Sequence, residues 1–195
     1  GEENKRELLL QTAIRVAKNT RYWKGVMLFA LVYKTTEAEI DLTNYFEEDD
    51  ESDEENEGRM NDLCRAAQIG HLWSARLVLD LGAGVNAGDK HGRRPLHHAA
   101  REGHVEISQW LLDHGAKVNA RDESGKIPLH QAARRGHIKV ARLLLDRGAN
   151  VGEKNLSGAS PLHFAARYQD CPKMAELLIE RRASINEVDP FGLTP

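Results

Sequence analysis

Two periods are superposed in the apolar positions from residue 59 onward. The short one is helical, as in the set Ile138, Val140, Leu143 and Leu144. The long one is 33 residues, marked by Pro-Leu-His at Pro95–His97, Pro128–His130 and Pro161–His163. A weaker copy precedes these at Leu63–Asp89, and Thr194-Pro195 opens what would be another. Each copy contains an Ala-Ala pair (Ala66-Ala67, Ala99-Ala100, Ala132-Ala133, Ala165-Ala166), which predicts a first helix with a thin face that neighbours can approach closely. A Gly-His step follows at Gly70-His71, Gly103-His104 and Gly136-His137, where Gly suits a left-handed helix end. The apolar second helix closes at Gly82-Ala83, Gly115-Ala116 and Gly148-Ala149. Asp89–Gly92 and Asp122–Gly125, with Asn155–Gly158 as a variant, read as tight turns. A phase shared over this distance predicts an array of stacked units, each too small to bury its apolar face alone.

The first 58 residues carry none of this. Glu7–Lys18 has a helical stripe of Leu9, Leu10, Ala13, Ile14 and Ala17, and Gly25–Tyr33 is a short apolar run that fits either a buried strand or a helix. Residues 1–45 therefore read as a small segment with apolar faces. Glu47–Gly58 contains no apolar residue, and 46–58 reads as a disordered acidic linker. The division expected is thus 1–45, 46–58 and a repeat region at 59–195. Its units are about 59–88, 89–121, 122–154 and 155–188, with a fifth beginning at 189–195.

The repeat residues themselves resemble the ankyrin repeat family. The shared pattern is D-x-x-G, then Pro-Leu-His, Ala-Ala, Gly-His, a Leu-rich second helix and Gly-Ala, all in one phase over residues 59–195. The resemblance implies an all-α solenoid of about four helix pairs with projecting hairpins, whose concave side is made of hairpins and first helices. It also implies that partner contacts come from the hairpin tips and exposed first-helix positions. Three departures predict local differences. Asn61-Asp62-Leu63-Cys64 replaces Pro-Leu-His in the first repeat, which suits an N-terminal cap. An extra residue near Tyr168–Pro172 puts Pro172 in the first turn of a helix. Arg182-Ala183 replaces Gly-Ala, which predicts a less regular helix end there.

Charge is more informative than composition. The chain has 195 residues and a net charge of -3, but residues 37–57 hold twelve acids and no Lys or Arg. Residues 1–36 carry a net +4 and residues 58–195 a net +5. In the implied contact positions stand Lys90, His91, Arg93, Arg94 and Arg101, then Arg121, Lys126, Arg134 and Arg135, then Lys154, Arg167 and Tyr168. Opposing acids in these slots are few, Glu102 and Glu123. The expectation is a basic trough, with His98 among its residues and Phe164 and Tyr168 towards one end. It would recognise another protein through an acidic segment. The tethered tract Glu47–Glu57 would compete for the same trough, and Ser52 within it suits an acid-directed kinase. Trp73, in the slot of Glu106 and Lys139, is expected to dock the N-terminal segment through Leu9, Leu10, Trp23, Met27 or Phe29.

Chemistry is expected to be absent. The recurring histidines, His97, His130 and His163 and then His71, His104 and His137, point to backbone hydrogen bonds that tie loops together. Adjacent His97 and His98 splay apart on a helix, so no zinc site is expected. No nucleophile stands beside a base and no phosphate loop is present, so no enzyme, metal or cofactor is expected. Two cysteines, Cys64 and Cys171, suit a reducing compartment, cytosol or nucleus. Gly25–Tyr33 is about half the length a membrane span needs. The function read from the sequence is a protein-binding scaffold or adaptor. Alternatives are a regulatory repeat domain of a larger enzyme, channel or ubiquitin-ligase adaptor, and a binder of polyanion or nucleic acid. Nucleic acid is disfavoured by the modest charge and sparse aromatics.

Overall fold

Thin first helices and apolar second helices produce a linear stack in the computed structural model, which describes residues 57–80, 82–168, 172–189 and 192–195. Among these are eight helices: α1 (Glu57–Ile69), α2 (Leu72–Asp80), α3 (Pro95–Glu102), α4 (Val105–Asp113), α5 (Pro128–Arg135), α6 (Ile138–Asp146), α7 (Pro161–Tyr168) and α8 (Pro172–Glu180). No strand occurs among the described residues. The first helices pack in sequence, α1 on α3, α3 on α5 and α5 on α7. The cause is side-chain size: Ala66, Ala67, Ala99, Ala100, Ala132 and Ala133 are all fully buried in these contacts. Leu96, Leu129, Leu111 and Leu144 fill the space between first and second helices and are also buried, each stabilising the fold by roughly 1.5–3 kcal/mol.

The helix boundaries follow local chemistry. Pro95, Pro128 and Pro161 open their helices, where a missing N–H costs nothing. Gly103 and Gly136 end α3 and α5 in the left-handed region, at φ 83° and 71°. Gly103 is required for a second reason: a Cβ there would lie 2.6 Å from Nδ1 of His137. Pro172 opens α8, as its position in the sequence predicts.

Two expectations are corrected. α1 begins at Glu57, so the last two residues of the predicted linker, Glu57 and Gly58, are helical; extending an existing helix adds a hydrogen bond for each residue fixed. The end of α8 is as regular as its counterparts. Arg182 adopts φ 70°, and Ala183 N–H donates to Leu178 O at 2.9 Å, just as Ala149 N–H donates to Leu144 O at 2.9 Å. Arg182 accepts a backbone conformation that Gly148 takes freely, and the helix end keeps its form.

Candidate protein-binding face

Histidines build the frame on which this face stands. His97, His130 and His163 each accept at Nδ1 from a backbone N–H three residues earlier (Arg94, Ile127, Ser160) at 3.1–3.2 Å. That places the ring proton on Nε2, which donates to the next hairpin: Lys126 O at 3.0 Å, Ala159 O at 3.2 Å and Leu193 O at 3.2 Å. Cys64 holds the same slot in α1 and directs its thiol at Arg93 O, 3.6 Å away, the equivalent carbonyl. His104 and His137 tie the other side, through Nε2 to Gln68 O and Arg101 O at 3.0 and 2.9 Å. Burial holds His97 below the ordinary imidazole range and lowers His130 to about 4, while it pushes the Cys64 thiol up to about 12. His97, His130 and Cys64 stay neutral, and all of these side chains act as joints.

Hairpins are shaped by one carboxylate or amide each. Asp89 Oδ1 accepts from the His91 and Arg93 N–H groups at 2.8 and 3.0 Å, and Asp122 Oδ1 from Ser124 and Lys126 at 2.9 Å. Asn155 does the same to Ala159 at 2.8 Å. Successive hairpins join through Glu123 N–H to His91 O and Leu156 N–H to Ser124 O. Repeat two adds a local triad. Asp89 Oδ2 meets Arg93 Nε at 3.0 Å and His98 Nε2 at 3.1 Å. Burial opposes ionisation of Asp89, but the two backbone donors, the Arg93 guanidinium and His98 outweigh it and hold its pKa below the carboxylate norm.

The sequence-predicted contact residues therefore differ in what they present. His98 is only 7% exposed and its ring is engaged by Asp89. Arg93 is half-buried against the same carboxylate, and half-buried Arg94 leads into α3. Lys90 and His91 are exposed at the tip of their hairpin. Arg101 lies half-exposed with Glu102 Oε1 at 3.4 Å, and Arg134, Arg135 and Arg167 are exposed in the last turns of α5 and α7. Basic residues favour a helix C-terminus, which accounts for their tolerance there. Lys126 carries its ammonium 5.8 Å from the Phe164 ring centre, and His130 meets the same ring edge-on at 5.5 Å. The side chain of Tyr168 lies outside the described residues, as do Ser52 and residues 1–56. Half-exposed Trp73 has the His71 ring edge-on at 6.5 Å, and its expected N-terminal contacts also lie outside.

Sequence reasoning underestimated the acids. Arg121 is ion-paired to Glu153 and Lys154 to Glu187 at 3.5 Å, so these two basic residues bind the next repeat. At the ends of the second helices, Asp113 pairs with Arg147 at 3.0 Å and Asp146 with Arg181 at 2.9 Å, a further ladder between repeats. It also missed two exposed leucines, Leu156 at 74% and Leu193 at 61%. Their signal was present: Leu156 stands in the slot of Lys90 and Glu123. Among the described residues no cluster of metal-ligating side chains occurs, and no helix is long and apolar enough to cross a membrane.

A stack of helix pairs tied by buried histidines, offering a row of hairpins and helix ends, defines a helical repeat module for binding. Sequence models of ankyrin repeats match it: ankyrin repeats (many copies) at residues 63–112 and 96–145, and ankyrin repeats (3 copies) at 121–189. The chain belongs to the ankyrin repeat family. Ankyrin repeats are a protein–protein interaction module, typically non-catalytic. Comparison with curated proteins gives no match.

Proposed function

We propose that this chain is a scaffold or adaptor that binds an acidic segment of a partner protein through its hairpin and first-helix face. The observation that carries this reading is the row Arg101, Arg134 and Arg167, equivalent positions on three stacked helices, with exposed Arg135 beside it. A guanidinium repeated on one face attracts carboxylates and can grip them bidentately. Steering by the row accelerates encounter, and desolvated contacts then set the lifetime of the complex. The cysteine content supports action in the cytosol or nucleus.

Fluorescein-labelled decaglutamate is a direct probe. The full chain should bind it with an affinity that falls steeply with salt, and Arg134→Glu/Arg135→Glu should weaken binding by at least about tenfold. Equal affinity for the two proteins sinks the proposal.

The acidic tract gives the face a regulator. Twelve acids within residues 37–57 are tethered close to the repeats, at an effective concentration of millimolar order. In this reading residues 47–56 compete with the partner, and phosphorylation of Ser52 strengthens the competition. Deleting 47–56, which spares α1, should tighten decaglutamate binding at low salt; unchanged affinity rejects the competition. Mass spectrometry of protein from its native cell decides whether Ser52 carries phosphate.

A further inference from the structure

The chemistry of the face changes in two directions, and the inference drawn from this rests on the acidic-partner reading above. Along the helix ends it stays basic, with Arg101, Arg134 and Arg167. On the hairpin side each row turns from charged or polar to apolar towards the C-terminal end of the stack. The tip row runs Lys90, Glu123, Leu156; the inner row Arg93, Lys126, Ala159, Leu193; the first-helix row His98, Gln131, Phe164. One corner of the face is therefore apolar, and the remainder polar and charged, with Glu102 and Glu123 among its basic residues.

The backbone at that corner is held in place. Leu156 is 74% exposed, yet its N–H donates to Ser124 O at 3.0 Å. Its Cγ stands over Gly125, where a Cβ would approach it to 3.1 Å. The next residue, Lys126, places its ammonium by the half-buried Phe164 ring. On the far side Leu193 is 61% exposed, its N–H bonded to Asp189 Oδ1 at 2.9 Å and its carbonyl to His163 Nε2 at 3.2 Å. A single exposed leucine needs no explanation. Two leucines and a phenylalanine, on adjacent rows of one corner where the first repeats carry charged or polar residues, form a preorganised apolar contact.

We infer that the face is bipartite. It takes a peptide segment in which a block of Asp or Glu is followed or preceded by one or two large apolar side chains. The acids lie along Arg101, Arg134, Arg135 and Arg167; the apolar side chains sit among Leu156, Phe164 and Leu193. Charge complementarity fixes the partner as acidic, and the separation of the two chemistries fixes the order of blocks in it. A purely acidic segment would leave the leucines in water. A purely apolar one would desolvate the arginines without replacing their hydration.

Phage-displayed random peptides panned against the full chain, beside its Leu156→Ser/Leu193→Ser and Arg134→Glu/Arg135→Glu variants, test this. The unaltered chain should enrich peptides with acidic and apolar residues in separate blocks. The serine variant should keep the acids and lose the apolar block, with at least tenfold lower affinity for the peptides selected on the unaltered chain. The glutamate variant should lose the acids. An apolar block that persists undiminished on the serine variant overturns the bipartite face while leaving the acidic-partner reading intact. Persistent acids on the glutamate variant, or no enrichment on the unaltered chain, overturn both.

Discussion

Gly103, Arg182 and His130 each do a job that a single substitution can isolate. At Gly103 both the positive φ of 83° and the approach of His137 exclude a side chain. Gly103→Ala should destabilise the fold by at least about 2 kcal/mol in urea titration. Arg182 is the reverse case, and Arg182→Gly should stabilise by up to about 1 kcal/mol by removing the left-handed strain at φ 70°. His130 is neutral in the fold because burial lowers its pKa to about 4, whereas the unfolded chain protonates it near 6.5. Between those values only the unfolded state gains the proton, so stability falls as pH drops through the window, by about 2 kcal/mol from pH 7.5 to 5. Buried His97 shifts in the same direction and adds to the loss. Chemical denaturation at the two pH values measures it, and His130→Gln should shrink the difference by about 2 kcal/mol, leaving the His97 share. The structural role of the histidines was legible in their period. The neutral state of His130 was not, because it depends on a burial that only the stacked repeats create.

At the scale of the element, the hairpin is the informative piece. Its turn was visible as Asp-x-x-Gly, since spacing and residue type are local signals. What else the Asp carboxylate binds was not visible, because that depends on its neighbours: Asp89 Oδ2 takes Arg93 and His98, while at Asp122 Ser124 Oγ donates, at 2.7 Å, to the same Oδ1 that holds the turn. Asp122→Ala leaves the Ser124 and Lys126 N–H groups without their acceptor and should cost about 1–3 kcal/mol in thermal or urea unfolding. Asp122→Asn should cost much less, because Asn155 holds the equivalent hairpin with the same oxygen. Equal losses for the two variants would show that the carboxylate charge, rather than the accepting geometry, shapes the turn. The regular end of α8 was misread for a related reason: Arg for Gly is a local conflict, and packing of Leu177 and Leu178, both buried, overrides it.

For the whole molecule, the order of helices and the shared face were readable from a 33-residue phase, because each repeat contacts only its neighbours. The charge actually offered by that face was harder to read. Sequence slots counted Arg121 and Lys154 among its basic residues, but the stack pairs them with Glu153 and Glu187 one repeat further on. It also ties Arg93 to Asp89. In the proposed reading the partner's acids lie at the helix ends, by Arg134, Arg135 and Arg167, and its apolar side chains by Leu156 and Leu193. Mapping backbone amide shifts of the full chain during titration with decaglutamate tests that placement most directly. The account predicts shifts confined to the last turns of α3, α5 and α7 and the adjoining hairpins, vanishing at high salt. Shifts centred on α2, α4, α6 and α8, or spread evenly over the stack, would contradict it.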